Sequence, residues 1–142
     1  MKSDDDLGAV IGCQQAVYRF YAELDAGELD SVAASMAVHG VWLRQGQKLV
    51  GPQAVRLALA DRPAGRMTAH LVQNLVIDLT DATTARARYM TLVYRSDAAE
   101  QVLEVAPLGL PLSISVNEDR LERDAAGAWV FTDKRSLRRF AS

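Results

Sequence analysis

The order of apolar periodicities along this 142-residue chain predicts an α+β fold. Two observations carry the prediction. The first half places apolar residues at steps of three and four, the spacing of amphipathic helices. The second half holds long apolar runs rich in β-branched residues, separated by short turn-forming stretches, which is the pattern of antiparallel strands. A strongly curved sheet of this kind, covered only in part by helices, encloses a pocket in which a small ligand would sit. The length fits one domain over residues 1–142.

Val10, Cys13, Val17, Phe20, Tyr21 and Leu24 form one helical stripe. Ser3, followed three residues later by Asp6, starts this helix, with acids favouring its positive end. Gly27 ends it, because glycine enters the left-handed cap conformation cheaply. A second, shorter helix is expected to carry Leu29, Val32, Ala33 and Met36. Val41-Trp42-Leu43 reads as a short strand. Gly51-Pro52 opens a third helix, where the missing proline N–H costs nothing, and Val55 and Leu59 give it a buried side. Pro63 stops it.

Met67 to Leu79 reads as the first long strand and Thr84 to Arg95 as the second, with Asp81-Ala82-Thr83 between them. Ala85, Ala87, Tyr89, Thr91 and Val93 share one face. Ser96 to Ala99 reads as a turn and Gln101 to Val105 as the start of a third strand. Two prolines and a glycine in Pro107-Leu-Gly-Leu-Pro111 interrupt it as a loop. Leu112 to Arg123 continues as a strand, Asp124 to Gly127 is a hairpin connection, and Trp129 to Arg135 is the last strand. The expected core is Val10, Val17, Phe20, Leu24, Val32, Met36, Leu59, Leu75 and Phe131.

Composition excludes several function classes. Sixteen basic residues against eighteen acidic ones give a net charge of −2 and no field for nucleic acid. No apolar run is long enough for a membrane span. Met1 to Asp6 has no apolar stretch behind a basic start, so no signal peptide is expected. The single Cys13 excludes an internal disulfide framework, and a reducing, cytoplasmic compartment follows. His39 and His70 lack metal-ligand spacing, and neither a phosphate loop nor a nucleophile elbow occurs, so no metal and no cofactor is expected. Only Lys2, Lys48 and Lys134 are lysine, a marked arginine bias.

Four segments together resemble the SnoaL-like branch of the nuclear transport factor 2-like superfamily. They are Tyr21-Ala-Glu-Leu-Asp25-Ala-Gly-Glu-Leu-Asp30, Gly40-Val-Trp42 followed by Gly51-Pro-Gln-Ala-Val55, Arg66-Met-Thr-Ala-His70-Leu-Val-Gln-Asn74, and Gly127-Ala-Trp129 with Arg135. The resemblance runs from about residue 7 to 140 and implies a cone-shaped α+β barrel wrapped around the amino-terminal helices. Members of the branch include dehydratases, a hexachlorocyclohexane dehydrochlorinase and polyketide cyclases. The small β subunit of ring-hydroxylating dioxygenases is similar and largely structural, so fold does not fix function.

The resemblance implies that Asp25 and His70 meet in the cavity as a catalytic dyad. A carboxylate on one ring nitrogen fixes the tautomer, and the other nitrogen then abstracts a proton from substrate carbon. Tyr21, Trp42, Asn117 and Arg123 are candidates for helping the leaving group or developing oxyanion, with Arg120 an alternative to Arg123. The residues by themselves leave plainer readings open. His70 also fits a core histidine satisfied by Asn74 or a carbonyl, Asp25 a helix-end residue, Tyr21 and Trp42 core packing, and Arg123 a surface arginine. The chain departs from scytalone dehydratase: no histidine lies in Arg86 to Tyr94, Leu24 precedes the aspartate, and Glu118 stands where that enzyme has asparagine.

The expected activity is a cofactor-independent lyase or isomerase acting on a small, mostly apolar, cyclic molecule. The alternative is a non-catalytic ligand-binding module or a β-subunit-like scaffold. The apolar alternation of Leu71, Leu75 and Ile77 with Val72 and Val76 leaves both sheet faces apolar, so a homodimer or homotrimer is expected.

Overall fold

The computed structural model describes residues 3–98 and 103–142. Helix α1 (Asp4–Ala26) and helix α2 (Leu29–Ala34) lead into strands β1 (Met36–Arg44) and β2 (Gln47–Val50). Helix α3 (Gly51–Ala60) follows, then β3 (Arg66–Leu79), β4 (Thr84–Asp97), β5 (Ser113–Arg123) and β6 (Trp129–Ala141). The six strands form one sheet in the order β2-β1-β6-β5-β4-β3. All neighbours are antiparallel except β1 and β6, which run parallel. The sheet curves around α1 without closing, so β2 and β3 are its free edges.

Local chemistry explains the ends of α1. The Ser3 hydroxyl accepts from the Asp6 N–H at 3.1 Å, and the Ser3 N–H donates to the Asp6 carboxylate at 3.3 Å, a reciprocal cap. Gly27 ends the helix at φ 77°, a conformation that a side chain would strain. This termination leaves Asp25 in the final turn, facing β3. One core joins the helices to the sheet. Val17, Phe20, Leu24, Val32, Met36, Leu59 and Phe131 are buried there, while Val10 and Leu75 pack partly buried at its margin. Cys13 is fully buried, and desolvation pushes its thiol up to about 12.

Several elements differ from the sequence expectation. Met36 is not helical. It opens β1 and pairs with Phe131, and its helix-like spacing after Val32 reflects burial in the shared core. The short strand expected at Val41 to Leu43 extends over Met36–Arg44, through an irregular stretch before Val41. Strand β2 was not expected at all. It follows a tight turn in which Gln45 and Gly46 take φ 51° and 79°, the pairing of positive angles that suits a two-residue hairpin. Helix α3 stops at Ala60, before Pro63. Strand β4 runs through the expected turn to Asp97, and β6 continues to Ala141. Of the expected strand Gln101 to Val105, residues 101–102 lie outside the described residues and 103–105 are not strand. The segment around Pro107 and Pro111 is irregular, as two prolines require. Among the described residues no helix is long and apolar enough to cross a membrane.

Candidate active site

Between α1 and the inner face of the sheet lies a cavity of about 500 Å³. Its lining divides into a dyad wall, a polar floor and a mouth rich in arginine.

The dyad wall is built by the end of α1 and the start of β3. Alternation along β3 turns Thr68, His70 and Val72 inward and leaves Ala69 and Leu71 exposed. The Asp25 carboxylate binds this strand in three places. One oxygen accepts from the His70 backbone N–H at 2.7 Å. The other lies 2.6 Å from His70 Nδ1 and accepts from the Thr68 hydroxyl at 2.8 Å. The Arg62 guanidinium in turn donates to Thr68 Oγ1 at 2.6 Å. Burial raises the Asp25 pKa, but the His70 ring and backbone N–H and the Thr68 hydroxyl outweigh it and hold the carboxyl below its usual value. His70 lines the cavity and Asp25 does not, so the imidazole stands between the carboxylate and the cavity, with its Nδ1 edge turned to Asp25. Tyr21 lies beside it, with ring centroids 5.3 Å apart. Trp42, partly buried on β1 and paired across the sheet with Lys134, meets Phe20 edge to face at 5.4 Å.

Of the polar floor, the sequence pointed to Tyr21 and Asn117 but not to Tyr89, Asp119 or Lys134. Asp119 on β5 stands directly across from Lys134 on β6, and their side chains pair at 2.8 Å while only 1% and 3% exposed. Tyr89 Oη donates to the same Asp119 oxygen at 2.7 Å and lies 2.8 Å from Tyr21 Oη. The Lys134 ammonium sits between the rings of Phe20 and Phe131, at 4.2 and 4.0 Å from their centroids. Burial raises the Asp119 pKa and lowers that of Lys134, each opposed by the partner charge. Asn117, two residues before Asp119 and therefore on the same face, donates to Thr91 Oγ1 at 3.0 Å. Tyr21, Asn117, Asp119 and Lys134 all line the cavity.

The structure thus brings together five of the six residues singled out from the sequence. His70, Tyr21, Trp42 and Asn117 line the cavity and Asp25 lies directly behind His70. Arg123 is elsewhere. It keeps the inward parity of β5 but stands beyond the core residue Leu121, at the hairpin, where its Nε donates to the Gly127 carbonyl at 3.3 Å. Arg120 points outward and pairs with Glu118 at 3.6 Å, because even-numbered positions of β5 face away from α1. One sequence signal could have exposed the floor. Ser113, Ser115, Asn117 and Asp119 are polar at every second position of a strand whose other face carries Ile114 and Val116. Lys134, one of three lysines in an arginine-rich chain, was the other.

No curated protein sequence matches the chain. Solved structures do share its fold. A type 2 hexachlorocyclohexane dehydrochlorinase, LinA, superposes with a TM-score of 0.79 at 17% identity, covering 99% of this chain and 92% of that one. A protein from Catenulispora acidiphila, solved in complex with S-DNPA, gives a TM-score of 0.68 at 24% identity over 94% of this chain and 93% of that one. An NTF2-like protein with a cystatin-like fold from Novosphingobium aromaticivorans gives 0.70 at 16% identity, over 90% of this chain and 80% of that one. At such identities the likeness is one of fold. The model of the SnoaL-like domain matches residues 7–135, and with helices, sheet and cavity arranged as described the chain belongs to the SnoaL-like domain family.

Proposed function

We propose that the chain is a cofactor-independent lyase or isomerase in which His70 is the general base and Asp25 its orienter. The observation that carries this reading is the 2.6 Å contact of Asp25 with His70 Nδ1, on the wall of a cavity of about 500 Å³. Asp25 accepts the Nδ1 proton, which leaves the Nε2 lone pair toward the cavity. Nε2 takes a proton from substrate carbon, and Asp25 stabilises the imidazolium that forms. In an elimination the C–H electron pair becomes the new double bond and the leaving group departs with its own pair. For a hydroxyl leaving group, His70 returns the proton and water is released. For an isomerisation it returns the proton to another substrate atom. Tyr21, Asn117 and Lys134 supply polar contacts for the charge that develops on oxygen.

The similarity to a dehydrochlorinase fold supports this reading. The cavity volume falls within the range of about 300–1,000 Å³ typical of ligand sites, which favours catalysis or ligand binding over a purely structural scaffold. The experiment that separates the first two is substitution of the dyad. Once a substrate is found, His70→Ala should lower turnover about 10²–10⁴-fold with the fold intact by circular dichroism, and Asp25→Asn should also be severe. A binding module would lose ligand affinity or stability only.

We further infer a homodimer or homotrimer through the outer sheet face. Leu71, Leu92, Ile114 and Phe140 are cross-strand partners in one row across β3–β6, and Met90, Val116 and Leu137 form a second. Cross-strand partners share a face, so these side chains make one apolar surface, with Leu71 42%, Val116 44%, Leu137 62% and Phe140 65% exposed.

A further inference from the structure

Arg44, Arg62, Arg66, Arg95 and Arg138 line the cavity, a concentration of positive charge in a chain whose net charge is −2. Two of them have an acid partner: Arg66 and Arg95 share Asp97 at 2.8 and 3.2 Å. Among the described residues, Arg44, Arg62 and Arg138 have no carboxylate in ion-pair contact. Among the described residues, Asp119 is the only acid lining the cavity, and it is already held by Lys134.

Arg44 and Arg62 are the informative pair. Arg44 lies over the Trp42 ring, 5.7 Å from its centroid, a contact that favours this placement of its guanidinium. Arg62 is fixed by its bond to Thr68, one step from the dyad carboxylate. Burial lowers the pKa of both; the charge of Arg66 lowers that of Arg44 further, and at Arg62 the Asp25 carboxylate opposes the shift while Arg66 adds to it. Half-buried like charges with no carboxylate in ion-pair contact are costly unless something neutralises them in the working state, and at Arg62 the more distant Asp25 and Asp97 offset only part of that cost. A guanidinium offers parallel N–H donors whose geometry matches a carboxylate.

We propose that the ligand of this cavity is an organic carboxylate: an apolar ring body that reaches His70, Tyr21 and Trp42, with its carboxylate held at the mouth by Arg44 and Arg62. The assignment names the substrate class of the site described under Proposed function and rests on that reading. It also sharpens the sequence expectation of a mostly apolar ligand, because it adds an obligatory negative charge at one end.

The test is equilibrium binding by calorimetry of 1-naphthoate against the neutral 1-naphthalenemethanol, which has the same ring. The acid should bind about tenfold or more tightly than the alcohol at low salt. Arg44→Gln should abolish most of that preference, and Arg62→Gln likewise, with the alcohol's affinity little changed. Raising ionic strength from about 0.01 M to about 0.15 M should weaken the acid and spare the alcohol. This last arm uses the unaltered chain, so it decides the matter even where a variant fails to fold. Equal affinities, no binding of either probe, or a preference that survives both arginine substitutions overturns the proposal. The assay reads binding and not turnover. Charge preference in a chain that turns over no carboxylate removes the lyase reading alone, and turnover of neutral compounds without charge preference removes this one alone.

Discussion

Strands β4, β5 and β6 present two chemically different surfaces from one backbone. Toward α1 they carry Tyr89, Asn117, Asp119 and Lys134, all buried. Away from α1 they carry Met90, Leu92, Ile114, Val116, Leu137 and Phe140, several of them well exposed. At these positions the usual rule of apolar inside and polar outside is reversed, although Ala85, Ala87, Leu121 and Phe131 keep to it on the inner face and Arg86 and Glu118 on the outer. The inversion is tolerated on the inner side because every polar group there has a partner: no buried side-chain nitrogen or oxygen among the described residues is left unbonded. On the outer side nothing among the described residues covers these side chains, and that is the physical case for the proposed second copy.

The comparison can be broken most severely at the inner face. Lys134→Met strands the Asp119 carboxylate in the core and should cost about 3–5 kcal/mol in urea unfolding. Removing both charges, as Asp119→Asn with Lys134→Met, should recover most of that loss. A double variant no more stable than the single would show that the pair is not the unit described. Phe20→Ala should cost a similar amount, about 3–5 kcal/mol, since the ring is 1% exposed and packs against Tyr21, Trp42 and Phe131.

A smaller effect concerns Asp25. Its folded pKa is held below the ordinary 3.8, so the unfolded chain takes up a proton first as acid is added. The carboxylate's contribution to stability is therefore full above about pH 4–5 and is lost as pH falls through the folded value. Unfolding midpoints measured from neutral to acid pH should show this loss in the parent chain and a flatter profile in Asp25→Asn.

The smallest effect on the isolated chain belongs to the outer face. Phe140→Ser should change protomer stability by no more than about 0.5 kcal/mol. Its consequence lies in assembly. Val116→Arg with Leu137→Arg should lower the mass seen by light scattering to the 15.5 kDa of one chain, while the parent gives a multiple of it. A parent mass of one chain would end the inference of an oligomer.

Much of this was legible in order along the chain. Local rules specified the capping box at Ser3 and Asp6, the stop at Gly27, the α1 stripe and the two long strands β3 and β4, because each is a short-range matter of periodicity or backbone freedom. That Ala85, Ala87, Tyr89, Thr91 and Val93 share one face followed from alternation alone. The pairing of Asp25 with His70 was not derivable from spacing, since forty-five residues separate them, and only the resemblance pointed to it. Met36 shows the limit of periodicity: a buried residue four beyond Val32 reads as helix whether or not the helix continues.

What the sequence determined by itself was the three helices, the long strands, the α+β class and the residues able to do proton chemistry, but not the short strand β2. What the tertiary structure decided was which side of each strand is inside. Hydrophobicity would place Ile114 and Val116 in the core and Ser115, Asn117 and Asp119 in water. The observed register instead sets Asp119 opposite Lys134 and Asn117 opposite Tyr89, beneath the Tyr21 hydroxyl. A polar residue can be buried only where another chain segment supplies its partner, and that partner lies on a different strand. Arg123 and Arg44 exchange roles for the same reason: the first has the right parity but lies past the end of the cavity, and the second lies on β1, which reaches the cavity only through its parallel pairing with β6.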